Sequence, residues 1–204
     1  MTELKTNDLV FAKVRLNAII PTKEKENAGY DIYACFDEDY MIIPPHSTRL
    51  IPTGIASAVS DKYYLQVHER GSTGSKGMKY SAGVIDSSYR GEIFIALSNI
   101  NEDSIVISKL DNFDELFKKC GKESDDGEYV FLTYDPDESA ESFNDVYLET
   151  PSMIYTPIFY PYSKAIAQLI VHEVPVMNQY EISYEELMQI PSTRGTGALG
   201  SSGK

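Results

Sequence analysis

Apolar and polar residues alternate along the first hundred residues in short runs, each ended by proline, glycine or asparagine. A period of two residues is typical of strands with one buried and one exposed face. The runs that show it are Leu9–Leu16, Tyr40–Ile43, Thr48–Val59, Tyr63–His68, Gly91–Ile100 and, much later, Lys164–Val174. Many short strands separated by turn signals predict an all-β sandwich or barrel, and within this class we expect a jelly roll.

Helical periodicity is confined to two places. One face of a helix is formed by four apolar residues, Phe113, Leu116, Phe117 and Cys120. Ser183 and Glu186 have the spacing of a capping box, which predicts a second, smaller helix. Between the helices we expect a strand at Tyr129–Tyr134, a loop at Asp135–Asp145 and packed, extended chain at Met153–Tyr162.

The negative charge of the chain is unevenly distributed. The 204 residues carry a net charge of −13, and residues 109–163 alone contain 4 Lys and 13 Asp or Glu, a net −9. We therefore expect a β core made of residues 1–108 and 164–190, interrupted by an acidic, α/β-containing insertion at 109–163. Residues 191–204 are rich in glycine, serine and threonine, which predicts a flexible arm.

The composition also excludes several classes of function. A net charge of −13 argues against nucleic-acid binding, which needs a basic face. No apolar run approaches the roughly 18 residues of a membrane span, and the N-terminus lacks the pattern of a signal peptide. Cys35 and Cys120 have neither metal-ligand spacing nor a disulfide framework, so a cytoplasmic location is expected.

Five segments contain side chains that can bind phosphate, hold a metal or activate water, and four of the five also contain glycine. They are Ala28–Ala34 (AGYDIYA), Glu69–Gly77 (ERGSTGSKG), Gly83–Ile93 (GVIDSSYRGEI), Ile166–Ile170 (IAQLI) and Arg194–Gly203 (RGTGALGSSG). In the third segment an apolar run ends in Asp86, a polar turn follows and a second strand leaves from Gly91, which predicts a β-hairpin with Asp86 and Tyr89 at its tip. A carboxylate there, walled by Val84 and Ile85, can hold and activate one water molecule.

In order and character, these segments resemble the five motifs of the trimeric dUTPases, which hydrolyse dUTP to dUMP and pyrophosphate. The resemblance extends from near residue 10 to the C-terminus, apart from the insertion. It implies that Asp86 is the catalytic base and that Asp31 holds Mg²⁺ through water. It also implies a homotrimer whose sites are shared. One chain supplies Asp31, the Arg70 loop and Gln168, a second supplies Asp86 and Tyr89, and a third lends the C-terminal arm.

The same resemblance assigns the remaining contacts to the substrate. Tyr89 is expected to pack on the deoxyribose and to exclude ribonucleotides, and the hairpin is expected to read uracil through its main chain. The residues of the base site are Gly83, Val84, Ile85 and Phe94. Those of the phosphate site are Arg70, Gly71, Ser72, Thr73 and Gln168. Those of the arm are Arg194, Leu199, Gly200, Ser201 and Ser202.

The chain departs from the family pattern at three positions. Gly71 stands where a serine is usual, Ala165 where an arginine is usual, and Leu199 where a phenylalanine stacks on uracil. These departures leave one alternative open, in which the chain has the fold of the family but lacks its activity. A protein-interaction module acting through the insertion is a second alternative.

A third alternative, the related dCTP deaminases, is disfavoured by two positions. The deaminating glutamate would fall on Ala96, and a required arginine would fall on Ser75. Tyr89, in addition, is the residue that the hydrolases carry.

Overall fold

The structure is a computed structural model, and it describes residues 4–110, 115, 121–123, 129–131 and 157–197. The strands of the described residues are Leu9–Lys13 (β1), Gly29–Ile32 (β2), Tyr40–Ile43 (β3), Thr48–Pro52 (β4), Ile55–Val59 (β5), Tyr63–His68 (β6), Met78–Ser81 (β7), Val84–Ile85 (β8), Phe94–Asn99 (β9), Ile105–Ser108 (β10), Gly121–Glu123 (β11), Tyr129–Phe131 (β12), Ile158–Pro161 (β13) and Ala167–Glu173 (β14). The helices with described bounds are Gly71–Gly74 (α1) and Tyr184–Gln189 (α2).

The strands pair into short sheets that cover one apolar core. The two that position the site have the orders β2-β14-β6-β8 and β4-β9-β7, and further sheets have the orders β13-β10-β3, β1-β5 and β11-β12. Ile32, Leu65 and Leu169 of the first sheet pack in one cluster with Ile95 and Leu97 of the second. The expected all-β, jelly-roll-like fold is confirmed.

Alternation along the strands places one face in this core. In β6 the buried positions are Leu65 and Val67, while Gln66 between them is only half-buried. The predicted run Thr48–Val59 is two strands, β4 and β5, which belong to different sheets. The chain turns between them at Gly54, whose φ of +66° favours glycine, and a Cβ there would lie 2.7 Å from the Cβ of Ala18.

The predicted hairpin at Gly83–Ile93 is wrong, because its two flanks do not pair with each other. Val84–Ile85 pairs with β6, whereas the strand on the far side begins at Phe94, not at Gly91, and pairs with β4 and β7. The two flanks therefore leave for different sheets, and the residues between them form a bridging loop. Alternation predicts a strand but not its partner, because partner choice depends on contacts distant in sequence.

The insertion connects two parallel neighbours, β10 and β13, which pair from Ile105↔Ile158 to Ser108↔Pro161. Parallel strands cannot be joined by a tight turn, so a crossover of a dozen or more residues is required here. Its start is anchored by Lys109, whose Nζ donates to the carbonyls of Phe36 and Asp37 at 2.6 and 3.0 Å. Part of the insertion is thus demanded by the topology of the core.

Within the insertion, the structure describes only a few of the predicted elements. Tyr129–Phe131 is a strand, as predicted, and pairs with β11. Glu115 is helical, whereas Phe113, Leu116, Phe117 and Cys120 of the predicted helix lie outside the described residues. The expected loop at 135–145 also lies outside them, and the extended chain expected at 153–162 is described from residue 157, where β13 follows.

By its internal contacts the chain divides into two units, Met1–Val174 and Pro175–Lys204. The second unit contains α2, whose capping box was predicted. Glu186 donates its N–H to Ser183 Oγ at 3.1 Å, and Ser183 donates its N–H to Glu186 Oε2 at 2.9 Å. That backbone hydrogen bond lowers the pKa of Glu186. No helix in the described ranges is long and apolar enough to cross a membrane.

Asn99 holds two turns of the core together. Its Nδ2 lies within hydrogen-bonding distance of the carbonyls of Ile43, Pro44 and Asp103 at 3.0, 3.1 and 2.8 Å, and its Oδ1 accepts from the N–H of Asn101 at 3.0 Å. The side chain is buried. All of these hydrogen bonds would be lost if the side-chain amide of Asn99 were removed.

We predict that Asn99→Ala lowers the free energy of unfolding by about 3 kcal/mol, because it leaves several buried polar groups without a hydrogen bond. Urea denaturation at matched protein concentration measures the change. The control is Ser98→Ala on the same strand, whose hydroxyl bonds lie at an exposed face. Equal and small losses for the two variants would contradict the prediction.

Candidate active site

The first part of the candidate site is a polar depression of about 380 Å³ beside β2 and β14. Its lining combines acidic, basic, amide and hydroxyl groups with three small residues. The residues that line it are Asn27, Ala28, Gly29, Asp31, Arg70, Gly71, Ser72 and Gln168. The structure therefore brings together residues from three of the five segments, which are far apart in sequence.

Strand pairing places Asp31 and Gln168 side by side. They are direct partners in the β2–β14 register, so their side chains share one face of the sheet. Gln168 Nε2 donates to the carbonyl of Glu69 at 2.7 Å, which fixes the end of β6 and the start of the 70–74 turn. A Cβ on Gly29 would lie 2.3 Å from Gln168 Oε1, so glycine is needed for this close approach.

Arg70 is held at the centre of the depression. Its Nε and Nη2 donate to the two carboxylate oxygens of Asp31 at 2.9 and 3.1 Å, a bidentate ion pair. Its Nη1 donates to the carbonyl of Ala165 at 3.1 Å. At position 165 the chain thus contributes a main-chain acceptor to this site.

Residues 71–74, expected as a glycine-rich loop, form a single helical turn. Thr73 is buried, accepts the N–H of Arg70 at 3.0 Å and donates to the carbonyl of Arg70 at 3.0 Å. Its hydroxyl therefore closes the turn, and the expected phosphate contact of Thr73 stays a prediction. Gly71 and Ser72 are exposed. Their N–H groups begin the turn, where helical N–H groups have no intrahelical acceptor.

The second part of the site is the bridging loop that follows β8. Asp86 is exposed and comes directly after the buried Ile85. Tyr89 donates its N–H to the carbonyl of Asp86 at 3.0 Å and its hydroxyl to the carbonyl of Glu92 at 3.0 Å. A Cβ on Gly91 would lie 2.4 Å from this hydroxyl, so the phenol lies directly over the loop backbone.

The open edge of β8 presents the main chain of Val84. The carbonyl of Gly83 accepts a hydrogen bond from the N–H of Val67 at 2.8 Å. Backbone groups alternate in direction along an antiparallel strand, so those of Ile85 also face β6 and those of Val84 face outward. Phe94, the other residue expected near the base, is the exposed first residue of β9.

Asp31 and Asp86 lie at opposite edges of the same sheet. Asp31 is level with His68 of β6, and Asp86 follows Ile85, the partner of Leu65. Three strand spacings and a four-residue offset put the two Cα atoms about 19 Å apart. The carboxylate expected to activate water is therefore far from the phosphate depression of its own chain.

Arg194 is described within the second unit. Its Nε donates to the carbonyl of Gly197 at 2.8 Å, and its N–H donates to Ser192 Oγ at 3.2 Å, so it forms a local turn. Leu199, Gly200, Ser201 and Ser202 lie outside the described residues. Their expected contacts with substrate stay predictions.

Sequence reasoning missed the residues that hold the two parts in place. Glu92 accepts the N–H of Gly54 at 2.7 Å and the Nε of Arg15 at 3.1 Å, which anchors the far end of the bridging loop. The carbonyl of Ala165 gives no sequence signal, because a main-chain group is present at every position. The sequence could have indicated Glu92, because it is a carboxylate within the third segment.

Four comparisons with known proteins point to one family. The dUTPase family model matches residues 17–120. A deoxyuridine 5'-triphosphate nucleotidohydrolase of Leptospira interrogans is 36% identical over 99 residues, which are 47% of this chain and 68% of that protein. The dUTPase of Staphylococcus bacteriophage 80alpha has a TM-score of 0.63 and 22% identity, with 97% of this chain and 99% of that chain covered. A dUTPase from phage phi11 of S. aureus has a TM-score of 0.55 and 17% identity, with 88% of this chain and 99% of that chain covered.

A depression lined by a bidentate Asp–Arg pair, a strand amide and the exposed N–H groups of a turn suits a phosphorylated ligand, and the matched proteins are nucleotide hydrolases. The matched range contains Asp31, Arg70, Asp86 and Tyr89. The chain belongs to the dUTPase family. Its activity is that of a dUTP nucleotidohydrolase, as the resemblance implied.

Proposed function

We propose that the protein cleaves dUTP between the α- and β-phosphates, giving dUMP and pyrophosphate, by in-line attack of a water molecule that Asp86 activates. The observation that carries this proposal is the exposed carboxylate of Asp86 immediately after the buried Ile85. The buried neighbour fixes the backbone, while the carboxylate stays free to accept a proton from water. Attack requires the water oxygen about 3–3.5 Å from phosphorus.

The triphosphate binds in the depression around Arg70. Within the described residues, three of the five N–H groups of Arg70 are used in contacts with Asp31 and Ala165, and the others are available to phosphate oxygens. The N–H groups of Gly71 and Ser72 and the hydroxyl of Ser72 add donors at the same wall. If the phosphate is bound here by main-chain N–H groups, glycine in place of the usual serine at position 71 removes none of these donors.

Mg²⁺ fits this depression through Asp31. The described residues contain no group of three acidic, histidine or cysteine side chains that could hold a metal alone. Mg²⁺ suits one carboxylate plus phosphate oxygens and keeps several waters, so a single Asp is a sufficient protein ligand. The phi11 dUTPase is described with a structural Mg(II) ion, which supports metal use in this fold. When bound, the ion would neutralise phosphate charge.

The nucleoside binds along the bridging loop and the open edge of β8. Outward main-chain groups of Val84 read the uracil edge, in a base site that Gly83, Ile85 and Phe94 also line. The ring of Tyr89, held over the loop by its hydrogen bond to Glu92, packs on the sugar and blocks a 2′-hydroxyl. The 80alpha dUTPase binds dUpNHpp, an imido analogue of this substrate.

We predict that Asp86→Asn lowers kcat by at least about 100-fold and leaves the affinity for an imido analogue of dUTP nearly unchanged, because only the base is lost. Product chromatography with dUTP, dCTP, dTTP and UTP measures turnover and selectivity, and calorimetry measures affinity. Asp61→Asn, at an exposed turn, is the control. Collapse of affinity would make Asp86 a binding or structural residue.

The active sites are shared in a homotrimer. The separation of about 19 Å between Asp31 and Asp86 supports sites shared between chains, because one phosphate cannot contact both residues of a single chain. Head-to-tail contacts that close into a ring bring Asp86 of one chain to Arg70 of the next. The arm at 191–204, with Arg194, Leu199, Gly200, Ser201 and Ser202, comes from a third chain and covers the nucleotide.

Mixing two inactive variants tests this arrangement. Arg70→Met and Asp86→Asn chains, each inactive alone, should regain about a quarter of wild-type turnover when refolded together, because random mixing leaves that share of sites intact. Turnover of dUTP is measured before and after mixing. Light scattering gives the chain number. No recovery in a confirmed mixed oligomer would place each site within one chain.

A second function is a protein contact made by the insertion at 109–163. Its net charge of −9 suits a basic partner. The 80alpha dUTPase is described as controlling the transfer of virulence genes by a proto-oncogenic G protein-like mechanism, which shows that a dUTPase of this fold has a role besides hydrolysis.

We predict that replacing the five acidic residues within 135–145 by Asn or Gln changes the rate of dUTP hydrolysis by less than about 2-fold. The same replacement should abolish the capture of a partner protein that the wild-type chain binds at low salt and releases at high salt. Pull-downs with wild-type and neutralised chains at low and high salt provide the comparison. The parallel β10–β13 pair is preserved, because no residue is deleted. An unchanged set of captured proteins would identify the insertion as a surface excursion.

A further inference from the structure

The carbonyl of Ala165 has two donors. Arg70 Nη1 reaches it at 3.1 Å from the phosphate side, and the hydroxyl of Tyr160 reaches it at 2.6 Å from the core side. A carbonyl oxygen has two lone pairs, so both hydrogen bonds can form together. Ala165 lies just before β14, where the chain turns into the strand that carries Gln168.

Tyr160 is fixed by its surroundings. It lies on β13, is 1% exposed and is among the largest fully buried side chains of the core. A buried phenol requires a hydrogen-bond partner, and here its hydroxyl donates to the carbonyl of Ala165, close to the side chains of Arg70 and Ser72. Burial raises the pKa of Tyr160, so the hydroxyl keeps its proton and remains a donor. A second phenol, Tyr80, donates in the same way to the next carbonyl, that of Ile166.

The two phenols therefore fix the consecutive carbonyls of Ala165 and Ile166 just before β14, and the first of these carbonyls accepts from Arg70. The side chain of Arg70 is in turn held from two sides, by both oxygens of Asp31 and by the carbonyl of Ala165. A guanidinium already restrained in this way loses less conformational freedom when phosphate binds. Tyr160 itself lies behind the carbonyl and does not line the depression.

We propose that Tyr160 is a positioning residue for triphosphate binding, acting through the carbonyl of Ala165 to orient the guanidinium of Arg70. This inference rests on the proposed phosphate role of Arg70. It assigns a function in the site to a buried residue of β13, a strand near the end of 109–163 that lies in none of the five segments.

Tyr160→Phe tests the proposal, because it removes only the hydroxyl and keeps the ring that fills the core. We expect the dissociation constant of an imido analogue of dUTP to rise by about 3- to 10-fold, the effect of one hydrogen bond. Calorimetry measures it. Tyr162→Phe is the matched control, since its ring contacts Phe36 and Lys109 instead of the depression. That variant should bind the analogue like the wild type.

A double-mutant cycle with Arg70→Met separates positioning from general structural damage. If Tyr160 acts through Arg70, adding Tyr160→Phe to Arg70→Met should change affinity by less than about 2-fold. The same loss in both backgrounds would overturn the proposal, as would wild-type affinity of Tyr160→Phe alongside a weakened Arg70→Met. Wild-type affinity of Arg70→Met would instead contradict the phosphate role of Arg70 itself.

Discussion

Antiparallel pairing in the β2-β14-β6-β8 sheet is the constraint on which the site depends. The register sets Asp31 beside Gln168, brings the end of β6 next to both, and puts Asp86 beyond the opposite edge. Side chains that point to one face can then share a ligand, while those at opposite edges cannot. One set of backbone hydrogen bonds thus creates the phosphate depression and separates it from the base.

The ion pair between Arg70 and Asp31 depends on this register and completes the depression. Each partner is about one-third exposed, so the pair is open to a ligand and still shielded by the protein on one side. Asp31 orients the guanidinium of Arg70, which we propose binds phosphate, and the guanidinium balances the negative charge of a carboxylate proposed to hold a cation. The departures at Gly71 and Ala165 leave the ion pair itself intact, because it is formed by the side chains of Arg70 and Asp31 alone.

Much of this could be predicted from the sequence, and the failures have a common cause. Alternation predicts the strands, the Ser183–Glu186 spacing predicts the cap of α2, and the quoted segments indicate Asp31, Arg70, Asp86 and Gln168. Each of these signals lies within a few neighbouring residues. The partner of Val84–Ile85, the inward hydroxyl of Thr73 and the bond from Tyr160 to Ala165 depend on what the fold brings near, so no local pattern indicates them.

The parallel pairing of β10 and β13 also bears on how such a chain can change over evolutionary time. Once a crossover long enough to join the two strands exists, its closing entropy grows only with the logarithm of its length, and doubling it costs about 0.6 kcal/mol. Segments can therefore be gained or replaced between Lys109 and Ile158 with little effect on stability, while the strands at both ends stay in register. Because β10 and β13 stay paired, residues inserted between them can form new surface without changing the core that carries the candidate site.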